Sequence, residues 1–414
     1  MQNTEQTTVF FDNRVEERRT IQIDAEYDCI VIGCGTAGIA AALAASRYGC
    51  RTLIIEKSIL PGGLATIGFV NKYLPLCNGN GRKVCGGICE ELLYESIRYG
   101  YNTLPEEWRG GALKRLSARR YMTVFSPYDF VMAIDELLER ENVDVLYDTL
   151  FSAPAVSDGE CRAVVVESKR GRHAYGAKTV VDCTGDSDVL YRCKADCEET
   201  GNWLSYWAYL SSVEDMKKGA RKSSVMYGVP LWEKGATADG QNTDAESPDY
   251  VLLSPEGVTR FVQDGRRLLR AEMRKRKAEG LTIAALPAIA QMRKTRRVKG
   301  AFELTEEHLN KRFEDSIGCA PDWRASGKVY EMPFGTLYCG GIKNVLTAGR
   351  SISATGDTWE VTRAIPACAV TGQAAGTAAA MMADEGCPAQ KLDVSRLQER
   401  LKKDGAILHM DDAV

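Results

Sequence analysis

The chain has 414 residues, of which 44% are hydrophobic and 26% charged, and its formal net charge is −3. This length allows more than one domain with a substantial core, and the near balance of charge excludes polyanion binding by bulk charge alone. The fourteen cysteines are scattered, the N-terminus lacks the apolar core of a signal peptide, and no run of about eighteen apolar residues suggests a membrane span. We therefore expect a protein of the reducing cytoplasm.

The first 24 residues are predicted to form an extension in which Thr8 to Phe11 form an edge strand. Residues 27–63 then combine a buried strand, a G-x-G-x-x-G turn, a helix rich in small residues, a second strand ending in an acid, and a glycine pair. A glycine-rich loop also occurs as a plain turn, so its context decides the interpretation. Here strand, helix, acid and spacing are all present, which predicts a site for the ADP moiety of a dinucleotide.

Each glycine of the turn has a physical role in this segment. Gly33 permits the tight turn, Gly35 lets the backbone approach the phosphates, and Gly38 lets the helix pack closely on the strand. The first N–H groups of that helix have no internal partner, so they can bind a pyrophosphate. Glu56 lies about twenty residues further on, where its carboxylate can accept both hydroxyls of a ribose.

Strands and helices alternate beyond this unit. One of the strands, ending at about Asp182, runs into a Thr-Gly turn, and such a turn brings backbone to the carboxyl edge of a sheet, where ligands bind in open α/β folds. Asp186 and Asp188 follow it, either beside a ligand or as solvated acids. The predicted helices span residues 88–100 and 129–140, and the predicted strands span 142–148, 162–170 and 178–185. The last two strands lie on either side of residues 171–176 and are expected to form part of a hairpin.

The C-terminal part repeats the strand, glycine and helix order. Residues 344–350 are predicted to form a strand ending in glycine, and a helix begins at about Pro366, which suits a first helical turn. Gly372 and Gly376 predict that this helix packs closely against a neighbour. Its N-terminus carries partial positive charge, which can stabilise an anion.

These motifs together resemble the FAD-dependent oxidoreductases of the glutathione-reductase-type fold, in the branch of fumarate reductase and the tRNA-uridine-modifying flavoproteins. The resemblance covers most of the chain, and residues 292–305 and 344–380 are its most specific parts. It implies an α/β fold, with an FAD/NAD(P)-binding Rossmann-like domain and an inserted α+β cap domain. The extension would span 1–24, the FAD-binding domain 25–192 and 331–414, and the cap 193–330.

The resemblance also implies which residues act. FAD would be the cofactor, with hydride transfer between flavin N5 and a small polar metabolite, and the catalytic residues would be Arg296, Arg297 and Arg363. Members commonly carry His where this chain has Gly356, so the substrate does not carry over. The residues expected to contact FAD are Gly33, Gly35, Thr36, Ala37, Gly38, Glu56, Lys57, Gly62, Gly63, Leu64, Gly185, Asp186, Gly349, Arg350, Arg363, Ala364 and Ile365.

Arg296 and Arg297, together with Arg293, resemble the family's substrate-side arginine element. Arginine there can clamp a carboxylate with two hydrogen bonds, and the alternative is a solvated or ion-paired basic face. The chain has three histidines, at positions 173, 308 and 409. None lies in a recognisable motif, so we expect them to be surface residues outside the chemistry.

Two further patterns leave alternatives open. The basic stretch 266–299 could bind RNA, but it lacks aromatic platforms, and an amphipathic helix with Leu268, Leu269 and Met273 inward is favoured. A flavoprotein that binds or modifies nucleic acid therefore stays the alternative function, with nucleic acid not expected as a partner.

The C-x3-C pairs Cys85/Cys89 and Cys193/Cys197 could form a dithiol, or a cluster with Cys77, and buried small hydrophobic residues are the simpler interpretation. No metal site is predicted. The electron partner and the oligomeric state are open, with a homo-oligomer among the alternatives.

Overall fold

The structure is a computed structural model that describes residues 6–11, 13–108, 121–236 and 250–414. Residues 1–5 and 12 of the predicted extension lie outside the described residues. The strands are β1 (Gln6–Phe11), β2 (Arg14–Arg19), β3 (Ile23–Ile32), β4 (Thr52–Ile55), β5 (Lys72–Tyr73), β6 (Thr123–Val124), β7 (Asp144–Leu146), β8 (Leu150–Ser157), β9 (Glu160–Ser168), β10 (Gly171–Asp182), β11 (Cys197–Glu199), β12 (Ser205–Ser211), β13 (Leu231–Gly235), β14 (Thr282–Ala285), β15 (Arg296–Val298), β16 (Ser316–Pro321), β17 (Val329–Pro333) and β18 (Val345–Thr347).

Helices cover much of the remaining described chain. The predicted helices at 88–100 and 129–140 are confirmed, with slightly different ends. The helices are α1 (Thr36–Tyr48), α2 (Ile88–Ser96), α3 (Pro127–Arg140), α4 (Asp188–Arg192), α5 (Val213–Lys222), α6 (Val225–Gly228), α7 (Pro255–Lys275), α8 (Gly356–Thr362), α9 (Ile365–Glu385) and α10 (Val394–Lys403). None of the described helices is both long and apolar enough to cross a membrane.

The main sheet has the order β7-β4-β3-β10, with β18 beside β10 and the antiparallel strands β9 and β8 beyond. Strands β7, β4, β3, β10 and β18 pair in parallel. The side chains of β4 and β18 and those at the carboxyl ends of β3 and β10 are buried, as expected for parallel strands covered by helices. The predicted α/β class with a Rossmann-like sheet is confirmed.

Helices α1 and α9 pack against each other at very short range. A Cβ atom at Gly372 would lie 2.2 Å from the carbonyl oxygen of Ala37, and one at Gly376 would lie 2.1 Å from that of Ala41. Only glycine leaves room for such close backbones. The predicted close packing of the C-terminal helix is therefore confirmed, and its neighbour is the helix that follows the glycine turn.

An inserted region between β10 and β18 builds a second, smaller sheet with the order β13-β12-β14. Helix α7 packs on it through Leu269, whereas Leu268 is 37% exposed, so its predicted inward position is wrong. The helix begins at Pro255, and its face is set by Gly265, where a Cβ would lie 2.2 Å from the Tyr206 ring.

Other parts of the fold differ from expectation in instructive ways. Residues 171–176, which lie between two predicted strands, belong to β10, because the chain reverses before Gly171, whose φ is +94°, and His173 then pairs with Val166. Strand β1 is confirmed, but it pairs with β2 inside the extension. Hairpin β16–β17, counted with the cap at 193–330, packs on α9 and joins the main core.

Candidate active site

The carboxyl ends of four parallel strands lie in one row. Ile32 of β3 pairs with Ile55 of β4 and with Asp182 of β10, and Asp182 pairs with Thr347 of β18. The next residues along each strand carry the glycine turn, Glu56, the Thr-Gly turn and the Ala348-Gly349 turn. Motifs that are far apart in sequence therefore meet at one edge of the sheet, where ligands bind in this class of fold.

The glycine turn at this edge has the geometry that its sequence predicts. Gly33 has φ +99°, and its N–H donates to the carbonyl of Ile55 at 2.8 Å. A Cβ at Gly38 would lie 1.8 Å from the carbonyl oxygen of Gly33, whereas a Cβ at Gly35 would meet no atom within 4 Å. Gly33 and Gly38 are thus required by the protein's own packing, and Gly35 faces open space.

The space above Gly35 is bordered by the N-terminus of α1. This helix has no side-chain cap and no acidic residue in its first turn. Its first N–H groups and the helix dipole therefore favour a bound anion. The glycine pair Gly62–Gly63 lies beside the same turn, since a Cβ at Gly63 would lie 3.2 Å from the Cα of Gly35.

Glu56 lies beside this turn and is 8% exposed. One carboxylate oxygen accepts the N–H of Cys34 and the other accepts the N–H of Ser58, both at 2.8 Å. Each oxygen keeps a further lone pair. Glu56 therefore stabilises the turn and can still accept hydroxyl groups. Lys57, the next residue, is exposed.

The Thr-Gly turn after β10 is organised by Asp182, which is fully buried. One oxygen of Asp182 accepts the hydroxyl of Thr184 at 2.7 Å, and the other accepts the N–H groups of Val189 and Leu190. Burial raises the pKa of Asp182 to about 6, although these hydrogen bonds oppose the shift. The carboxylate thereby ties the turn to the start of α4.

Arg350 holds the same turn from the opposite side. Its Nε donates to the carbonyl of Gly185 at 2.6 Å, its Nη2 to Asp186 at 2.7 Å, and its Nη1 to the carbonyl of Met292 at 3.2 Å. Burial alone would raise the pKa of Asp186, but Arg350 and Thr295 outweigh it and lower the pKa. The guanidinium therefore positions Gly185 and Asp186; whether it also contacts a cofactor stays a prediction.

The N-terminus of α9 completes the site. From Pro366 to Met382 this helix is almost entirely buried, whereas Arg363, Ala364 and Ile365 are partly accessible. The helix has no side-chain cap and no acid in its first turn. Its first turn therefore presents unpaired N–H groups and partial positive charge at an accessible edge.

Comparison with known proteins decides the family. A model of the family described as FAD dependent oxidoreductase matches residues 28–206 and 215–401. The chain belongs to that family. FAD is therefore its cofactor, and the chain is an oxidoreductase enzyme.

Individual relatives match more narrowly. The tRNA uridine 5-carboxymethylaminomethyl modification enzyme MnmG of Bacillus subtilis (strain 168) is 30% identical over 39% of this chain and 24% of its own length. Thioredoxin reductase of Ureaplasma parvum serovar 3 is 32% identical over 19% of this chain and 26% of its own. The matched regions thus span about a quarter of these curated relatives.

Solved structures of similar shape are more distant in sequence. OxyS anhydrotetracycline hydroxylase from Streptomyces rimosus has a TM-score of 0.46 at 12% identity and covers 91% of this chain and 65% of its own. The open conformation of a flavocytochrome c3 fumarate reductase has a TM-score of 0.40 at 13% identity. This match covers 87% of the present chain and 79% of the fumarate reductase chain.

The residues at the strand ends fit FAD. The open space at Gly35, the uncapped start of α1 and the remaining lone pairs of Glu56 match a pyrophosphate and its ribose. A Cβ at Gly349 would lie 2.9 Å from the Cβ of Ala37, so this second turn closes tightly on the same helix. Which side chains contact FAD stays a prediction residue by residue.

Replacing Glu56 with glutamine is expected to weaken FAD binding roughly tenfold and to lower the melting temperature of the apoprotein. One carboxylate oxygen becomes an NH2 group, which faces a backbone N–H of Cys34 or Ser58 and leaves that donor unsatisfied at a cost of about 1–3 kcal/mol. FAD titration and thermal unfolding of the apoprotein measure the two effects. Unchanged values in both would show that Glu56 supports neither turn nor cofactor.

The inserted region closes over the segment that follows Gly62–Gly63. The side-chain amide of Gln291 donates to the carbonyl of Gly68 at 2.7 Å, and its oxygen accepts the N–H of Trp207 at 2.8 Å. The N–H of Ala288 also donates to Ile67 at 2.9 Å. Gln291, Trp207 and Gly68 are buried, whereas Ala288 is exposed. The buried contacts of Gln291 therefore fix the cap to the segment beside the glycine pair.

Arg296 and Arg297 already have carboxylate partners. Arg296 pairs with Asp188 at 2.7 Å and lies over the Tyr191 ring, with Cζ 3.8 Å from the ring centroid. Arg297, which is 1% exposed, pairs with Glu198 at 2.8 Å. The geometry thus favours the ion-paired alternative for both residues, and their catalytic assignment stays a prediction.

Arg363 lies at the end of α8, just before the N-terminus of α9. Its Nε donates to Glu360 at 2.9 Å, and the same carboxylate pairs with Lys294 at 2.6 Å. Two cations thus share one buried carboxylate, which leaves an excess of positive charge beside α9. Of the three predicted catalytic arginines, Arg363 is the one that the structure places at this accessible edge.

The histidines lie in structural roles. His308 accepts the backbone N–H of Thr305 at 3.0 Å and so caps the short 3-10 helix Glu306–His308. His173 is hydrogen-bonded to Asp24 at 3.0 Å. His409 is 5% exposed and lies 3.0 Å from Glu331, so its predicted surface position is wrong. A buried acid partner removes the cost of burying the ring.

Gly356 has φ +56°, and a Cβ there would lie 2.6 Å from an oxygen of Glu306. A histidine at this position would be strained at this φ, and the end of the exposed Glu306 side chain would also have to move. The backbone therefore accounts for the departure from the family pattern at this residue.

All fourteen cysteines are free of disulfide bonds. The Cys85 and Cys89 thiols are buried, and a hydrogen bond between them together with burial raises the pKa of Cys85. Cys193 is hydrogen-bonded to Cys161, on β9. In the described residues no group of three acidic, histidine or cysteine side chains is arranged for a metal ion. These contacts favour the interpretation of the cysteines as buried small hydrophobic residues. The cytoplasmic location of the protein stays a prediction.

Sequence reasoning missed several residues of this site. Gln291 and Trp207 carry no motif, and their contact joins segments 84 positions apart. Glu360 lies in a helix, where an acidic residue is common and carries no signal. Its pairing with both Lys294 and Arg363 becomes apparent only in the folded structure. The only sequence signal for this part of the site was the cluster of basic residues around Arg293.

Proposed function

We propose that this flavoenzyme transfers a hydride between flavin N5 and a small polar metabolite. The observation that carries the proposal is the fixed contact of the cap with residues 67–68 through Gln291 and Ala288. A substrate that reaches the flavin must fit between these hydrogen-bonded segments, in which Gln291 and Gly68 are buried. This arrangement favours a small molecule over a polymer.

FAD supplies the redox chemistry when it is bound, and the chain supplies binding, orientation and charge. The start of α1 binds the pyrophosphate and Glu56 binds the ribose. The start of α9 places partial positive charge where negative charge develops on reduction. Arg363 and Lys294 share the carboxylate of Glu360, so this group keeps net positive charge at the same edge, and Arg363 is proposed to orient the reacting group.

An alternative function is binding or modification of nucleic acid, because the MnmG relative is named as a tRNA uridine modification enzyme. Helix α7 does present an exposed basic face, with Arg266, Arg267, Arg270 and Arg274. The apolar side of this helix packs on the cap sheet, and the helix carries no exposed aromatic ring on which a base could stack. We therefore propose the small-molecule reaction.

Anaerobic titration of the purified holoenzyme tests the proposal. The visible flavin spectrum is expected to bleach with one class of small alcohols, amines or saturated acids, or to recover from the reduced state with the matching oxidised compounds. RNA that co-purifies in a salt-sensitive way, together with no bleaching by any compound of the panel, would support the alternative instead.

A further inference from the structure

The cap contains a buried arginine whose charge is not compensated by the protein. Arg293 is 2% exposed, and its Nε has no hydrogen-bond partner. The two carboxylates that act on it at longer range are already paired, Glu233 with Lys72 at 2.7 Å and Glu360 with Lys294 at 2.6 Å. In the described parts of the chain, Arg293 therefore has no carboxylate of its own.

The surroundings of Arg293 make this charge costly. Burial, followed by the positive charge of Arg363 and that of Arg350, lowers the pKa of Arg293 to about 9. The guanidinium is still protonated at neutral pH. A buried charge without a partner destabilises a protein, and proteins tolerate one where a ligand completes the pair.

The direct contacts of Arg293 come from the cap. Its Nη2 lies 3.5 Å from the hydroxyl of Ser205, and its Cζ lies 4.8 Å from the centre of the Trp207 ring. Trp207 is the residue whose N–H is held by Gln291, which also holds the carbonyl of Gly68. Arg293 thus lies on the cap side of the flavin segment, whereas the open space for the pyrophosphate is at Gly35.

We propose that Arg293 binds a carboxylate group of the substrate, with Ser205 as a second donor. This inference rests on the proposed function and names the substrate class as a small carboxylate. The planar guanidinium matches a carboxylate with two parallel hydrogen bonds, and one unpaired positive charge matches one negative group. The Trp207 ring, whose centre lies 4.8 Å from Cζ, favours the charged guanidinium through a cation–π contact and limits the space in which it can move.

The test uses the FAD-loaded protein with acetate, malonate and benzoate as probes. Acetamide and benzamide are the uncharged comparators, and sodium chloride and phosphate the ionic ones. We expect saturable perturbation of the flavin spectrum and a higher melting temperature with carboxylates only. Arg293→Met is expected to weaken this binding roughly tenfold to a hundredfold, because it removes a charge-assisted pair. Arg270→Gln, on the exposed face of α7, is the matched loss of one charge and is expected to change nothing.

The melting temperature of the ligand-free protein separates a binding role from a structural one. Because Met removes an uncompensated buried charge, Arg293→Met is expected to be as stable as the wild type or more stable. A lower melting temperature with carboxylate binding retained would overturn the proposal. So would loss of FAD from the variant, or a response to phosphate in place of carboxylates. Ser205→Ala, expected to weaken binding by a smaller factor, provides a second variant if Arg293→Met does not fold.

Failure of this inference and failure of the proposed function give different results. If a neutral metabolite bleaches the flavin and Arg293→Met keeps full activity, the hydride-transfer proposal stands and the carboxylate site is refuted. If carboxylates bind through Arg293 but no compound exchanges electrons with the flavin, the site stands and the proposed reaction is refuted.

Discussion

Replacing Gly35 with valine is expected to weaken FAD binding at least roughly tenfold, while the apoprotein keeps its melting temperature. A Cβ atom at this position would meet no protein atom within 4 Å, and the backbone is in an extended conformation with φ −78°, which valine adopts readily. The new methyl groups instead occupy the space that the pyrophosphate needs. FAD titration and thermal unfolding of the apoprotein measure the two quantities.

The matched variant is Gly38→Val, which changes a glycine of the same turn. A Cβ there would lie 1.8 Å from the carbonyl oxygen of Gly33, so this variant is expected to lose several kcal/mol of stability, roughly 3–5, as well as FAD. Gly340, which is exposed and has no atom within 4 Å of a built Cβ, serves as the neutral control. Equal stability losses at Gly35 and Gly38 would refute the assignment of the open space to the cofactor.

Replacing Ala364 with leucine is expected to shift the reduction potential of the bound flavin and to weaken FAD binding. Ala364 caps the N-terminus of α9, and it is partly accessible beside an otherwise buried helix. A larger side chain there displaces the flavin from the partial positive charge that stabilises its reduced form. Potentiometric titration of the holoenzyme measures the shift.

Ala383→Leu is the control, because Ala383 lies in the last turn of the same helix and is also partly accessible. The dipole effect is confined to the first and last turns of a helix, and Ala383 is at the opposite end from the flavin edge. We expect this variant to leave the flavin potential unchanged. Equally small shifts in both variants would mean that α9 only packs against α1, and the contacts assigned to Arg363, Ala364 and Ile365 would then be wrong.

The sequence predicted those parts of the site that depend on local geometry. Gly33, Gly35 and Gly38 could be assigned because a strand, a turn and a helix within one short segment impose their spacing. Glu56 could be assigned for the same reason, since it ends the adjacent strand. In the case of Gly372, the absence of a side chain predicted close packing, and only the identity of the neighbour, α1, had to come from the fold.

The remaining parts depend on contacts between distant segments. Arg293, Arg296 and Arg297 are indistinguishable in sequence, because their difference is whether a carboxylate from another element reaches them. Arg296 and Arg297 meet acids of the α4–β11 region, and Arg293 meets none in the described chain. Likewise His409 looks like a surface residue until Glu331 is brought against it.

The contact between α1 and α9 has a consequence for the synthesis of this protein. Gly372 and Gly376 pack against Ala37 and Ala41, so one wall of the cofactor site is made late in translation, long after the glycine turn has left the ribosome. Until then the apolar face of α1 lacks its partner, and such contacts of high sequence separation form slowly. Uptake of FAD is therefore expected only after α9 has been synthesised and has packed on α1, and we expect a ribosome-bound fragment that stops before residue 365 not to acquire it.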